Sequence, residues 1–514
     1  MYLTQSLHRA VQQTPDSVAT IFGDRVRTFR EVADRVARLA GALQGLGVAE
    51  GDRVGVLALN SDRFHEALYA TWWIGGAVNP VNIRWSAKEI AYSLKESETR
   101  VLFVDDAFVP LVPQLLAEWD GVTTLVHCGD RPIPAGMLSY ELIAVYEPVE
   151  DLRLGAERMA GIFYTGGTTG YPKGVMLSHA NILTTSYAGL ATAQGSLPNG
   201  RTLNSAPMFH LAGLAAWNQQ NVMAGSHVFL SAFEPAAVLK AIAEHRPTTL
   251  LLVPVMIQML VDHLAIGEYD LSSVQRIIYG ASAISEALLQ RAMKAFPQAG
   301  FAQGYGMTEL SPVATQLTPE DHRDQALLRS AGRAAVGIEV RIVDLEDKEV
   351  PRGTVGEIVV RSAGVMLGYW KKPEETAEAL RGGWMHTGDA GRMDDNGYVF
   401  VVDRIKDMIV TGAENVYSAE VENALAQHSA VASCAVIGVP DPEWGERVHA
   451  VVVLQPGATA TAGELRGHCK SLIAGYKSPR TVEFVEAMPL SAAGKILKRE
   501  LRRPYWENAE RAVS

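Results

Sequence analysis

The feature that most constrains this chain is a repeated alternation of an amphipathic helical pattern with a short apolar run. Residues 28–31 match the capping box that begins helices, and apolar residues then recur at steps of four and three through residues 32–46. Residues 53–59 follow as a strand with few charges, and residues 99–105 and 123–127 repeat the strand pattern. This alternation predicts α/β layers built on mostly parallel sheets.

A second pattern begins near residue 403, where the sequence predicts a compact unit of its own. Residues 408–410 form a short apolar run, and Ser418 is positioned to cap the helix that follows. Residues 432–437 and 449–454 are further strand candidates. No Gly/Ser-rich or Pro-rich linker marks the join. The expected unit is a small α+β domain.

The length of 514 residues and a hydrophobic content of 48% are enough for more than one core. We therefore expect an α/β protein with a large multi-layer N-terminal domain at residues 1–403 and a small α+β C-terminal domain at residues 407–514.

Composition and charge exclude several classes of protein. A formal net charge of −11 argues against a general affinity for nucleic acid, which needs clustered Lys and Arg. The first residues lack the apolar core of a secretory signal, and the longest apolar run, residues 250–261, is too short to span a bilayer. The cysteines at 128, 434 and 469 are far apart, as in a reducing compartment. We expect a cytoplasmic protein without a membrane segment.

Residues 164–174, Y-T-G-G-T-T-G-Y-P-K-G, combine four glycines and three threonines with Lys173 directly after an apolar segment. Backbone N–H groups exposed by glycine, threonine hydroxyls and a lysine charge together suit a polyphosphate. An ordinary P-loop is disfavoured because Gly174, and not Ser or Thr, follows Lys173. The segment predicts a phosphate cradle, and a flexible surface turn is the alternative.

Three other enzyme classes find no support in the motifs. Residues 304–309 begin like a dinucleotide fingerprint but place Glu309 where the third glycine belongs. Residues 280–284 resemble a nucleophile elbow around Ser282 but lack its closing glycine. No H-E-x-x-H motif is present. The sequence thus argues against a Rossmann dehydrogenase, a serine hydrolase and a zinc hydrolase.

Five segments, in order, resemble the adenylate-forming superfamily of acyl-CoA synthetases, luciferases and amino-acid adenylation domains. They are Y-T-G-G-T-T-G-Y-P-K-G (164–174), Y-G-M-T-E (305–309), G-W-M-H-T-G-D (383–389), D-R-I-K-D-M-I-V-T-G-A-E-N-V-Y (403–417) and P-L-S-A-A-G-K-I-L-K (489–498). The resemblance is to the fatty-acid or aryl-acid CoA ligase type. It implies that ATP and a carboxylic acid give acyl-AMP and pyrophosphate, and that coenzyme A then takes the acyl group.

The resemblance implies a role for each motif residue in nucleotide binding. Glu309 would bind Mg²⁺, which prefers carboxylate and phosphate oxygens. Tyr305 would stack on adenine, although Tyr305 alone would indicate a core aromatic. Asp389 would accept the ribose hydroxyls and Arg404 would pair with the nucleotide. The remaining implied contacts to ATP or AMP are Thr165, Gly167, Thr168, Thr169, Lys173, Gly280, Ala281, Gly306 and Thr308.

The same resemblance implies a catalytic lysine on a mobile C-terminal domain. Lys495 would stabilise negative charge as the carboxylate attacks the α-phosphate, and with Thr165, Lys173, His210 and Glu309 it forms the implied catalytic set. Residues 404–406 would be the hinge, centred on Lys406, and rotation there would remove Lys495 and open a pantetheine tunnel.

Three departures from the family's usual residues affect this expectation. Gly166 stands where Ser is common, which removes a hydroxyl donor for phosphate. Gly412 and Ala413 would line the tunnel, and Ala413 and Ser418 stand where Gly and Pro are usual. Ala413 could narrow the route of coenzyme A. We therefore expect Gly166 to affect the affinity for ATP and Ala413 to affect the rate of thioester formation.

The acyl pocket implied by the resemblance is apolar. His210 stands where amino-acid adenylation domains usually have Asp, which disfavours a free amino acid as substrate. The pocket residues would be His210, Ala212, Tyr279, Gly304, Met307 and Val313. We expect a medium-chain or long-chain fatty acid or an arylpropenoate, ATP and coenzyme A as substrates, no nucleic-acid partner, and a possible homodimer. Transfer to a carrier-protein thiol or to oxygen, and an inactive nucleotide-binding relative, are the alternatives.

Overall fold

A computed structural model describes residues 1–165, 172–282, 284–404, 407–411, 414–491 and 495–513. The helices are α1 (Gln5–Gln13), α2 (Phe29–Gly45), α3 (Asp62–Trp73), α4 (Ala87–Glu96), α5 (Val112–Glu118), α6 (His179–Ala193), α7 (Leu211–Val222), α8 (Pro235–His245), α9 (Pro254–Val261), α10 (Glu286–Ala295), α11 (Pro373–Ala379), α12 (Ser418–Ala426), α13 (Ala462–Leu472) and α14 (Lys498–Val513). In that part of the chain, no helix has the length and apolar character needed to cross a membrane.

The strands carry the sheets that hold the candidate site. They are β1 (Val18–Phe22), β2 (Arg25–Thr28), β3 (Arg53–Leu57), β4 (Ala77–Pro80), β5 (Val101–Val104), β6 (Thr124–His127), β7 (Leu138–Ser139), β8 (Met159–Thr165), β9 (Lys173–Ser178), β10 (Arg201–Asn204), β11 (Ser226–Phe229), β12 (Thr249–Leu252), β13 (Arg276–Gly280), β14 (Gly300–Tyr305), β15 (Thr315–Leu317), β16 (Arg333–Ala334), β17 (Glu339–Val343), β18 (Gly356–Arg361), β19 (Gly368–Tyr369), β20 (Met385–Met393), β21 (Val399–Arg404), β22 (Ile409–Thr411), β23 (Glu414–Val416), β24 (Val431–Asp441), β25 (Gly445–Leu454) and β26 (Thr481–Phe484).

Two large sheets form the N-terminal part of the molecule. One has the order β16-β15-β14-β13-β12-β10-β11-β1-β2 and is parallel from β14 to β1, and the other has the order β19-β9-β8-β4-β3-β5-β6-β7 and is parallel from β8 to β7. Antiparallel strands flank both parallel blocks. The predicted α/β layers with mostly parallel sheets are confirmed.

Two smaller sheets complete the fold. Strands β17, β18, β20 and β21 form an antiparallel sheet that ends at Arg404. Strands β22 to β26 form the sheet of the small C-terminal unit, whose core includes Ile409, Val436, Val452 and Leu465. The large α/β domain and the small α+β domain expected from the sequence are therefore both present.

Local sequence signals explain where several elements begin. The Thr28 side chain accepts a hydrogen bond from the backbone of Glu31, whose side chain accepts one from the backbone of Thr28, so the predicted capping box is confirmed. Ser418 was expected to cap α12, and this is wrong, because Tyr417 holds the cap position. Ser418 is already helical, and its hydroxyl donates to Asp403 at 2.6 Å instead.

Candidate nucleotide and acyl site

Strand β14 ends at Tyr305, beside a carboxylate that two side chains hold in place. The Tyr305 hydroxyl donates to Asp389 Oδ2 at 2.8 Å, and Arg404 Nε lies 3.0 Å from Asp389 Oδ1. Asp389 and Arg404 are direct partners across β20 and β21. Burial and the Asp389 charge raise the pKa of Tyr305 well above its ordinary value, so its phenol stays a proton donor at neutral pH. The ribose-binding carboxylate implied by the sequence is thus positioned by the fold.

Glu309 lies just beyond Tyr305, in the single helical turn of residues 308–310. Glu309 is only 5% exposed, and its Oε1 accepts a hydrogen bond from the Tyr369 hydroxyl at 2.8 Å. Burial raises the pKa of Glu309, while the Tyr369 hydrogen bond and the charges of Arg404 and Lys173 lower it. The Arg404 and Lys173 charges favour the ionised carboxylate, whose oxygens are the type of ligand that a hard metal ion prefers.

Lys173 is linked to Glu309 through the same tyrosine. Lys173 opens β9, and its Nζ lies 4.9 Å from the centre of the Tyr369 ring, a cation–π contact. Strand β19 places Tyr369 opposite Val175 on β9. Thr165 pairs with Lys173 at the end of β8. The two ends of the glycine loop therefore lie opposite each other, and the Lys173 end contacts Tyr369. Gly166, Gly167, Thr168 and Thr169 lie outside the described residues.

Glycines allow the backbone to close tightly around the end of β14. A Cβ on Gly280 would run into the carbonyl of Gly304, and one on Gly306 would run into the carbonyl of Pro312. Ala281 adopts a left-handed φ of 67°, and Thr308 opens the turn that carries Glu309. The predicted nucleotide contacts at 280, 281, 305, 306, 308 and 309 thus cluster at the carboxyl ends of β13 and β14.

The predicted acyl residues divide between two faces of that sheet. His210 precedes α7 with its ring 4.3 Å from the ring of Phe209, and Ala212 lies in the first turn of α7. Met307 and Val313 pack against the main core. Tyr279 packs in the second core and its hydroxyl lies 2.8 Å from His322 Nε2. Because neighbouring strand residues alternate in direction, the Tyr279 side chain points away from the face of Gly304.

Lys495 lies in a loop closed by its own hydrogen bonds. The Ser491 N–H donates to the Lys495 carbonyl at 2.7 Å, and the Lys495 N–H donates to Ser491 Oγ at 3.0 Å. Arg84, which follows β4, donates to the Ser491 carbonyl at 3.1 Å. The loop that carries Lys495 therefore contacts the large unit. Lys406, Gly412 and Ala413 lie outside the described residues.

Sequence reasoning missed Tyr369, which connects Lys173 with Glu309. The signal in the sequence is the aromatic pair Tyr369 and Trp370, which precedes the first residue of α11, Pro373, with two lysines between them. The neighbouring Trp370 donates from Nε1 to the carbonyl of Glu96 at 2.8 Å, which fixes this segment against α4. Nothing in the sequence indicates which carboxylate the Tyr369 hydroxyl would reach.

Comparison with known proteins is consistent with this geometry. A family model described as AMP-binding enzyme matches residues 7–370, and one described as AMP-binding enzyme C-terminal domain matches residues 420–495. A feruloyl-CoA synthase of an Amycolatopsis species is 38% identical over 97% of this chain and 98% of its own. A fatty acid–[acyl-carrier-protein] ligase, ScoC of Streptomyces coeruleorubidus, is 37% identical over 99% of this chain and 97% of its own.

A solved structure extends the similarity to the whole fold. The anthranilate CoA ligase AuaEII, in complex with anthranoyl-AMP, superposes with a TM-score of 0.93 at 29% identity, covering 99% of this chain and 98% of that one. Both the large unit and the small unit of this chain therefore have counterparts in one known enzyme.

Proposed function

The chain belongs to the family of AMP-binding enzymes, and from that premise we propose that it is an AMP-forming acid–thiol ligase that makes acyl-CoA. In the first step a carboxylate oxygen attacks the α-phosphorus of ATP and pyrophosphate leaves. In the second step the sulfur of coenzyme A attacks the acyl carbon, AMP leaves and the thiol proton is released. The observation that carries this proposal is the pair of buried carboxylates, Asp389 and Glu309, at the end of β14.

The two carboxylates suit different parts of ATP. Asp389, held by Tyr305 and Arg404, would accept the ribose hydroxyls. Lys173 and Thr165, at the two ends of the glycine loop, would hold the β- and γ-phosphates. Glu309 would hold Mg²⁺, which supplies positive charge to the phosphate oxygens. Lys495 would stabilise the negative charge that develops during adenylation.

The second step requires the small unit to move. We take residues 1–403 and 407–514 as the two domains and residues 404–406, with Lys406, as the hinge. Asp403 lies on β21 within the sheet of the large unit, whereas Ser418 begins α12 in the small unit, so the junction falls between them. Rotation there would carry Lys495 away from the site and let Gly412 and Ala413 approach the thiol.

The acceptor and the acid are the finer parts of the proposal. Coenzyme A is favoured by relatives named as CoA ligases, and a carrier-protein thiol is the second candidate because of the similarity to ScoC. A small side chain at Ala212 and the absence of one at Gly304 favour an acid with a sizeable apolar body over acetate, because burying apolar surface contributes about 25 cal/mol per Å².

Pyrophosphate release tests the first step. The protein is incubated with ATP, Mg²⁺ and a panel that includes octanoate, palmitate, cinnamate, acetate and phenylalanine. We expect release with an apolar acid, and loss of release in Asp389→Asn but not in Asp395→Asn, a matched change at an exposed aspartate. Release that is strongest with acetate or phenylalanine would contradict the predicted pocket, and no release with any acid would contradict adenylation.

Thioester formation tests the acceptor. Coenzyme A and a phosphopantetheinylated carrier protein are supplied in parallel, and the acyl thioesters are measured by mass spectrometry. Acyl-CoA as the faster product supports the proposal. Thioester on the carrier protein alone would replace coenzyme A by the second candidate.

A further inference from the structure

The face of the nine-stranded sheet that Gly304 occupies has open space above it. A Cβ built on Gly304 would meet no atom within 4 Å. Gly304 is the direct partner of Gln316 on β15, so the Gln316 side chain rises from the same face and borders this space. The space lies one residue before Tyr305, whose hydroxyl binds Asp389. It therefore adjoins the nucleotide side of the site.

A second glutamine reaches the same place from α7. A Cβ built on Gly189 of α6 would lie 2.6 Å from Gln219 Nε2 and 3.5 Å from Gln316 Nε2. A Cβ built on Gly195 would lie 2.7 Å from Gln219 Oε1 and 2.9 Å from the Cδ1 of Ile278. Two glycines thus leave room for the amides, which lie side by side against α6 and close to β13.

Both amides are buried without their full complement of hydrogen bonds. Gln219 is 5% exposed and Gln316 is 4% exposed. Among the residues that the structure describes, neither Gln219 Oε1 nor Gln316 Oε1 has a hydrogen-bond partner. The next residue, Gln220, differs, since its amide bonds the Thr202 hydroxyl and the Leu197 carbonyl. Each side chain therefore keeps a buried acceptor oxygen to which a polar group of a bound molecule can donate.

Along α7, Gln219 follows residues that border the predicted acyl pocket. Ala212, Ala216 and Gln219 follow one another at helical spacing along one stripe of α7. Ala212 lies two residues after His210, which the resemblance places in the acyl pocket and in the catalytic set. Gln219 lies seven residues further, a rise of about 10 Å along the helix. Ala212 and Ala216 have small side chains, and Gln219 is the next residue on their stripe.

We propose that the acid carries a hydroxyl group at the end remote from its carboxylate, and that Gln219 and Gln316 bind that hydroxyl. This inference rests on the proposed ligase function. A hydroxyl both donates and accepts, so it can bond an amide in either orientation of its oxygen and nitrogen. Gln219, Gln316 and Ile278 carry no charge, so a terminal ammonium or carboxylate would be buried there without a partner ion. A hydroxyarylpropenoate and an ω-hydroxyalkanoate both carry such a hydroxyl.

Matched pairs of acids test the inference on the unmodified enzyme. Pyrophosphate release is measured for 4-hydroxycinnamate against cinnamate and 4-methoxycinnamate, and for 8-hydroxyoctanoate against octanoate. At least one hydroxylated acid should exceed its unsubstituted partner about tenfold or more in kcat/KM, because the unsubstituted acid leaves buried amides unpaired. The pair that shows the preference identifies the aryl or the alkyl source.

Equal rates in both pairs, or a preference for the unsubstituted acids, would overturn the inference while leaving the ligase function intact. An enzyme that is inactive with every acid would instead refute the ligase function itself. The methoxy acid separates hydrogen bonding from size, since it extends as far as the phenol but cannot donate.

Substitution of the amides tests the same point from the protein side. Gln219→Leu and Gln316→Leu should each reduce the hydroxylated-to-unsubstituted kcat/KM ratio about tenfold while the rate with the unsubstituted acid stays within a few-fold. Gln290→Leu, at an exposed position of α10, is the matched control. An equal loss with both acids would show that the glutamines are structural and would overturn the inference. If a leucine variant fails to fold, the acid pairs on the unmodified enzyme still decide.

Discussion

Asp389 and Glu309 are each held by side chains from other elements of the large unit. The loop that carries Lys495, in contrast, meets the large unit where Arg84 donates to a backbone carbonyl. The carboxylates are buried, so losing a partner there leaves a desolvated charge. The Arg84 bond is exposed to water, which can replace it at small cost. The side of the site that we propose binds the nucleotide is therefore preorganised, and the contact of the Lys495 loop is weak enough to form and break.

The largest effect is expected for Lys495→Ala. If the loop serves adenylation alone, this variant should lower the rate of acyl-AMP formation on the order of 10²–10³-fold, as for loss of one preorganised electrostatic group. Conversion of supplied acyl-AMP and coenzyme A to thioester should stay near the unmodified rate, because the proposed rotation would then have removed Lys495. Lys470→Ala, an exposed lysine of α13, should change neither step. Equal damage to both steps would make Lys495 a structural residue.

Tyr369→Phe tests the preorganised side and should have the next largest effect. When the Tyr369 hydroxyl is removed, Glu309 loses a hydrogen bond that favours its ionised carboxylate. We therefore expect the KM for Mg-ATP to rise about tenfold with a smaller change in kcat. Tyr398→Phe is the matched control, since the Tyr398 hydroxyl donates to Asp321 at 2.7 Å away from these residues. Equal effects of the two variants would contradict a specific role of Tyr369.

The pH profile gives Tyr369→Phe a second readout. Burial already raises the pKa of Glu309, and the Tyr369 hydrogen bond opposes that rise. Removing the hydroxyl should raise the pKa of Glu309 further, so the carboxylate protonates at a higher pH as the solution is acidified. The acid limb of kcat/KM for Mg-ATP should therefore move to higher pH. An unchanged limb would mean that Glu309 does not control that limb.

Elements that depend on local patterns could be predicted from the sequence. Helix α2, its capping box at Thr28 and Glu31, and the strands near residues 53–59 follow from local periodicity, and the structure confirms them with ends that shift by a few residues. The motif residues around Tyr305 cluster because they lie on the ends of adjacent strands.

Partnerships between distant side chains could not be predicted in this way. Tyr369 reaches Glu309 across 60 residues, and Ser418 reaches Asp403 across 15, so no local pattern indicates either bond. The apolar pocket was inferred from small residues, and the buried amide of Gln316 became visible only through its pairing with Gly304. Which face of a sheet a side chain occupies depends on the register of the strands, which the sequence does not give. Tyr279 was predicted in the acyl pocket, but its side chain packs in the second core.

Arg84→Ala tests how much the docked loop depends on its exposed contact. A net hydrogen bond contributes about 1 kcal/mol, so adenylation should slow about fivefold while thioester formation from supplied acyl-AMP stays unchanged. Stopped-flow measurement of each step would resolve the difference, with Arg323→Ala at an exposed site as the control. A loss as large as that of Lys495→Ala would mean that the loop is held far more rigidly than its contacts indicate.

The smallest effect is expected for Ser418→Ala, which tests the junction between the two units. The Ser418 hydroxyl donates to Asp403, and Lys498 donates to the same hydroxyl, so the start of α12 is tied to β21 in the arrangement observed. The variant keeps the bond from the Ser418 N–H to Asp403 and the ion pair of Lys498 with Glu422. We therefore expect the ratio of thioester formation to adenylation to rise only about two- to fivefold, because one bond that favours the arrangement proposed for adenylation is lost. Ser471→Ala, whose hydroxyl bonds only within α13 among the described residues, controls for loss of a serine hydroxyl in the small unit. A lower melting temperature with an unchanged ratio would show that this contact stabilises the small unit without influencing its rotation.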